Sequence, residues 1–171
     1  SEMCIRDGFY TLSFGFLLWS CSEPDNDIIS GPSTGLSSYT PIVMQRESFE
    51  KSISFQQAHS LQNIAKMYTS VNIIFISERY KGVHIIDNSD PSNPQNKGFI
   101  QVPGCIDVAY KSNVLYVSGG RDLIALDISD YQNPTELSRQ TNIFPQLKDP
   151  EGLDANLQYP ENAVVIDWVK N

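Results

Sequence analysis

Short apolar runs, each closed by polar or turn-forming residues, mark the middle of this chain. Ile73–Ile76 (IIFI) and Val114–Val117 (VLYV) are four-residue runs of β-branched, aromatic and aliphatic residues. Val83–Ile86 and Leu123–Leu126 follow them at similar distances. Runs this short, bounded by Gly, Asn and Ser, favour strands over helices. His84 excepted, they lack clean apolar–polar alternation, so both faces of these strands should be covered.

The runs repeat. Asp87 to Asp127 is an interval of 40 residues, and Ser89/Ser129, Asp90/Asp130, Asn93/Asn133 and Pro94/Pro134 keep it. Upstream, Asn72–Ser77 corresponds to Asn113–Ser118 at an interval of 41. The extra residue falls between Ser77 and Gly82, where a hairpin loop can absorb it. Self-similarity at about 40 residues in a strand-rich unit is the signature of a propeller blade. Each unit then reads as four antiparallel strands. Ala65–Thr69, Ile73–Ser77, Gly82–Asp87 and Lys97–Val102 form the first. Ile106–Tyr110, Val114–Ser118, Leu123–Ile128 and Glu136–Gln140 form the second. Leu61, Ile64, Ala65 and Tyr68 also satisfy helical spacing, but the repeat register favours a strand from Ala65. A short helix is expected at Gln45–Ser52, with Phe49 in a surface turn.

The fold class expected is therefore all-β: two four-stranded, propeller-type blades, a partial propeller, preceded by a signal and tether segment and a short helix. Residues 39–60 form a lead-in, 61–104 and 105–144 the two units, and 145–171 a loop and the start of a further strand at Ala163–Val169.

The first 21 residues read differently. Phe9–Trp19 is an apolar run of eleven residues, too short for the roughly 20 a membrane-spanning helix needs but suited to a secretory h-region. Its ending, Leu18-Trp19-Ser20-Cys21, resembles the lipobox of bacterial lipoproteins, with Trp19 where a small residue is usual. The resemblance implies lipidation at Cys21 and a membrane partner through that lipid; the alternative is an apolar strand that ends in Ser-Cys. Residues 22–38, acidic and then Ser/Gly/Pro-rich, read as a flexible tether. The acidic stretch after Cys21 resembles signals that send lipoproteins to the cell surface, so the expected address is exported: outer membrane or cell surface. Met3-Cys4-Ile5-Arg6-Asp7 resembles a translated sequencing-adapter remnant, which would make roughly the first eight residues non-native.

Bulk composition narrows the function classes. The 171 residues are 40% hydrophobic and carry twenty acids against twelve bases, a formal charge of -8. That balance, without a basic cluster, argues against nucleic acid as a partner. Cys4, Cys21 and Cys105 show neither metal spacing nor a disulfide framework. Cys105, after Pro103-Gly104, should be small and half-buried.

The candidate chemistry reduces largely to structure. Asp87 and Asp127 could act as metal or acid–base carboxylates, but residues recurring once per unit are better read as capping the turn that follows. The same holds for Ser89, Asp90, Asn93 and Pro94, and for Ser129, Asp130, Asn133 and Pro134, because Asp-Pro and Asn-Pro initiate turns. The spacing lacks the glycine and terminal Glu of a calcium loop. His59 and His84 are the only histidines, and His84 stands where the second unit has Ile124. Tyr68, Tyr80, Tyr110 and Tyr116 could line a sugar-binding surface or fill the core. No catalytic residue, metal site or cofactor is expected.

Ile85-Ile86-Asp87-Asn88-Ser89-Asp90-Pro91-Ser92-Asn93-Pro94 closely resembles the unit motif of LVIVD-repeat proteins. Ala125-Leu126-Asp127-Ile128-Ser129-Asp130-Tyr131-Gln132-Asn133-Pro134 departs from it at Tyr131, where Pro is expected. The likeness covers about Tyr39–Phe144 and implies a β-propeller, with no catalytic residues to carry over. Two units cannot close a ring of typically about 4–8 blades, so the chain is expected to be a fragment, truncated after Ala163–Val169. The function implied is a non-catalytic surface lipoprotein that binds a protein or glycan partner. Two alternatives stay open: a propeller enzyme acting on polysaccharide, whose acids lie outside this chain, and a soluble β-domain without lipid.

Overall fold

The structure, a computed structural model, describes residues 37–153, 160 and 162–171. Cys21 and the expected signal segment lie outside the described residues. Among the described residues, one short helix accompanies eleven strands in three antiparallel sheets.

The first repeat is built on β3 (Ile64–Thr69), β4 (Ile73–Glu78), β5 (Gly82–Asp87) and β6 (Gln95–Gln101). The second is built on β7 (Val108–Lys111), β8 (Val114–Gly119), β9 (Asp122–Asp127) and β10 (Thr135–Gln140). Consecutive strands pair in both, as period-40 meanders should. The one-residue difference between units sits in the β4–β5 hairpin. Glu78 pairs with Gly82 across the three-residue loop Arg79-Tyr80-Lys81. Gly119 pairs with Asp122 across only Gly120-Arg121. The β7–β8 hairpin turns on Ser112 and Asn113, with φ of 51° and 64°, the left-handed pair that a two-residue turn needs to match strand twist.

Three features depart from the sequence reading. The first sheet has five strands, because β2 (Ser54–Gln56) in the lead-in pairs with β6. The terminal segment is a full strand, β11 (Ala163–Lys170), paired with β1 (Tyr39–Gln45) from Tyr39↔Lys170 to Gln45↔Ala163. Phe49, on helix α1 (Arg46–Glu50), is buried at 1% exposure rather than lying in a surface turn. Its ring packs beside Gly119 and Val102, with the guanidinium groups of Arg46 and Arg139 at 5.6 and 5.1 Å from its centroid.

The repeats share one core, packed face to opposite face. Phe75, Val83 and Ile85 come from one face of the first sheet. Leu115, Val117, Ile124 and Leu126 come from the second. By repeat position the latter correspond to Ile74, Ile76, His84 and Ile86, on the first sheet's other face. The stacking is thus head to tail. Phe75 and Tyr110 pack with ring centroids 4.8 Å apart, and Ser77 Oγ donates to Ile106 O at 2.8 Å. Lys66 and Asp107, equivalent positions of successive units, pair with each other at 3.0 Å. Cys105 is fully buried, not half-buried; burial raises its thiol pKa well above the usual range, which leaves it unreactive.

Two glycines permit close packing where the β4–β5 side of the first repeat, the second repeat and β11 meet. Gly104 (φ 72°) would place a Cβ 2.4 Å from Gly120 N, and Gly120 (φ 55°) one 2.4 Å from Val164 Cγ1. Only glycine fits both the conformation and the space.

A buried ion cluster fastens α1 to the second repeat. Asp122 is inaccessible to solvent. It bonds Arg46 and Arg139, the latter at 3.2 Å, and accepts Asn142 N–H at 3.0 Å. Removing one member of a buried pair strands the other charges. Asp122→Asn is expected to lower unfolding free energy by about 3 kcal/mol. Lys66→Ala, whose pair with Asp107 is half exposed, should cost less than about 1 kcal/mol. Urea denaturation of both variants checks the contrast; equal losses would contradict it.

Candidate functional site

Antiparallel meanders put their loops at two ends, and each end here has its own chemistry. One end carries the repeated turns. Asp87 Oδ1 accepts Ser89 N–H at 3.0 Å, and Asp127 Oδ1 accepts Ser129 N–H at 2.8 Å. Asp90 Oδ1 takes Ser92 N–H at 3.0 Å, and Asp130 Oδ1 takes Gln132 N–H at 3.1 Å. Asn93 N–H and Asn133 N–H each close a turn onto the carbonyl of Asp90 or Asp130 at 3.0 Å. Pro94 and Pro134 stand immediately before β6 and β10. Each carboxylate oxygen that bonds backbone does so within its own loop, an Asx-turn arrangement. Tyr131, the departure in the second unit, packs its ring on Phe55 of β2 at 5.9 Å between centroids, so it ties the second turn to the first sheet.

The backbone N–H and hydroxyl of Ser89 lower the Asp87 pKa, those of Ser129 lower Asp127, and the Ser92 hydroxyl and N–H lower Asp90. An unfolded aspartate titrates near about pH 4. Lowered native values mean that the stabilisation is complete above that pH and is lost as pH falls through the native pKa.

The other end carries a cleft. Arg79 and Tyr80 from the β4–β5 loop, Ile106 and Asp107 from the β6–β7 connection, and Phe144 and Leu147 from the segment after β10 line a volume of about 350 Å³. Backbone bonds hold this rim: Tyr80 N–H to Cys105 O at 2.6 Å, Gly104 N–H to Tyr80 O at 2.9 Å and Phe144 N–H to Arg121 O at 3.0 Å. Tyr80 is buried and its hydroxyl donates to Lys148 O at 3.3 Å. Arg79 lies over the Tyr80 ring at 5.9 Å. Asp107 is engaged by Lys66. Burial opposes ionisation of Asp149, but the Ser37 hydroxyl and the N–H groups of Leu153, Glu151 and Gly152 outweigh it and lower its pKa.

Of the tyrosines, Tyr80 is core, Tyr68 and Tyr110 pack against the core, and Tyr116 is 38% exposed. The repeat-turn residues fall at the end of the strands remote from the cleft. One grouping escaped the sequence reading: His59, Glu78 and His84 converge on the outer face of the first sheet. The available signal was a double departure from the repeat, since the second unit has Gly119 and Ile124 where the first has Glu78 and His84.

Two period-40 units with this strand order define an all-β repeat protein. The LVIVD repeat family model matches residues 70–101 and 105–141. Residues 70–101 and 105–141 of this chain are thus two LVIVD repeats. No curated protein and no solved structure matches it.

Asp87→Asn combined with Asp127→Asn keeps the turn geometry but removes the titration. Stability measured by denaturant titration from pH 7 to about pH 2 should fall less steeply below about pH 4 than in the wild type. An acid limb of unchanged slope would show that these turns do not carry the linkage.

Proposed function

We propose that the two repeats are successive blades of a propeller-like module that recognises a protein or glycan partner, displayed at the cell surface by a lipid on Cys21. The head-to-tail packing of one face of the first unit on the opposite face of the second carries this reading. Phe75, Val83 and Ile85 cover the second unit as a further unit's residues would cover the next, which is how blades stack. Tyr116, Leu123 and Ala125 occupy the corresponding face of the second unit, where Tyr116 is 38% exposed.

The cleft end is the recognition surface in this reading. It combines the polar rim of Arg79 with the aromatic edge of Phe144, on loops held by a rigid sheet scaffold. Asp107 and Asp149 are each engaged within the protein, which favours recognition over acid–base work at these groups. The lipobox-like Leu18–Cys21 supports the anchor, and the 22–38 segment would supply reach. Several acyl chains hold a protein to a membrane firmly where one would not.

Two experiments test the reading. Palmitate-analogue labelling in a lipoprotein-processing bacterial host is expected to mark the wild type and not Cys21→Ser; equal labelling would remove the anchor. On a glycan array and in a cell-surface pull-down, Arg79→Glu and Phe144→Ala are expected to reduce capture at least about tenfold, the effect of losing one good contact. Capture insensitive to both variants would place recognition elsewhere.

A further inference from the structure

We propose that His59, Glu78 and His84 form a binding site for a divalent late first-row cation of the Zn²⁺ type, which clips the segment between β2 and β3 onto the first repeat. One ligand atom from each residue lies within 4.8 Å of the other two. Glu78 and His84 come from the paired strands β4 and β5, on one face, with His84 Nε2 2.9 Å from Glu78 Oε2. His59 arrives from the loop after β2, its ring edge-on to that of His84 at 4.7 Å and beside Phe99 at the same distance. These are the only two histidines of the chain.

The repeat itself provides the internal control. The second unit builds the same strand pair with Gly119 and Ile124 at these positions, and Gly119 has the Ile124 side chain against it. Strand pairing and packing therefore need neither the carboxylate nor the imidazole. The first unit instead buries both, at 8% and 0% exposure, where an unpaired polar group is costly. A hydrogen-bonded pair alone would satisfy that burial; it would not explain a second imidazole brought to it by a separate segment.

The hydrogen bonds prepare the rings for ligation. His59 Nδ1 lies 3.1 Å from Ser60 O; a carbonyl only accepts, so Nδ1 carries the proton and Nε2 keeps its lone pair. Asn96 Nδ2 donates to the His59 backbone carbonyl at 2.9 Å and lies 3.4 Å from His84 Nδ1, so one amide ties the His59 backbone to the His84 ring. Its Oδ1 accepts Gly98 N–H at 3.2 Å. These contacts put the His84 proton on Nε2, facing Glu78. Coordination at Nε2 requires that proton to move to Nδ1. Outer partners of this kind orient metal-ligating histidines.

The donor chemistry selects the ion. Two imidazoles and one carboxylate suit Zn²⁺ and its neighbours, whereas Ca²⁺ and Mg²⁺ prefer all-oxygen shells. Tetrahedral bonds of about 2.0–2.2 Å need donor atoms roughly 3.3 Å apart. Glu78 and His84 are already near that spacing, and exposed His59 is free to close the remainder. Three protein ligands leave a fourth position for water or a partner's side chain.

Titration of the full chain with ZnCl₂ by calorimetry, with Co²⁺ absorption as the ligand-sensitive probe, tests the site. The wild type is expected to bind one ion in a site free of thiolate charge transfer, and to melt at a higher temperature with Zn²⁺ than with EDTA. His59→Ala, on an exposed loop, should lose more affinity than the roughly 10–100-fold that outer-sphere changes cause. Glu78→Gly with His84→Ile, which installs the second unit's own residues, should abolish binding while leaving the far-UV dichroism unchanged; should it not fold, His59→Ala carries the test alone. No uptake by the wild type, a thiolate-dominated Co²⁺ spectrum, or binding that survives His59→Ala would overturn the proposal.

Discussion

The contact between opposite faces of the two repeats is what the rest of this protein depends on. A four- or five-stranded meander has two faces, and the runs IIFI and VLYV put apolar residues on both. Such a sheet cannot stand alone in water. Phe75, Val83 and Ile85 resolve this for one face by covering Leu115, Val117, Ile124 and Leu126. The polar groups at the seam then find partners: Ser77 on Ile106 O, Lys66 on Asp107. The rim of the cleft is built from the same joint, because the β6–β7 connection that links the repeats also bonds the Tyr80 loop.

Much of this was legible in the residues. The 40- and 41-residue intervals located both meanders, the strands they contain and the hairpin that absorbs the odd residue. Repetition made that possible, since each unit checks the assignment of the other. What escaped is whatever occurs once. The β1–β11 pairing joins the two ends of the described chain, and no local period marks such a contact. Phe49 stands alone among polar residues, and only the space left beside Gly119 shows why it is buried. β2 is three residues long, too short for a strand pattern to register.

The second lesson concerns departures from the repeat. Asp122 replaces Gly82 of the first unit and anchors α1 through Arg46 and Arg139. Tyr131 replaces Pro91 and reaches Phe55. Glu78 and His84 replace Gly119 and Ile124 and meet His59. Residues shared by both units, such as Asp90 and Asp130, bond within their own turns. In this chain the shared positions build the scaffold, and the unshared ones make the individual contacts. His84 was visible as an exception from sequence alone; that His59 would join it was not, because the loop between β2 and β3 has no counterpart to compare.

The central claim is that the two repeats form one cooperative body through their opposed faces. Native-state hydrogen exchange tests it most directly, reading amides of β4 and β5 against those of β8 and β9 in the wild type and in Val83→Ala. The account predicts that the slowest amides of both sheets exchange with the same opening free energy and that Val83→Ala lowers both equally. Exchange in β8 and β9 that ignores Val83→Ala would mean that the repeats fold independently and would contradict it.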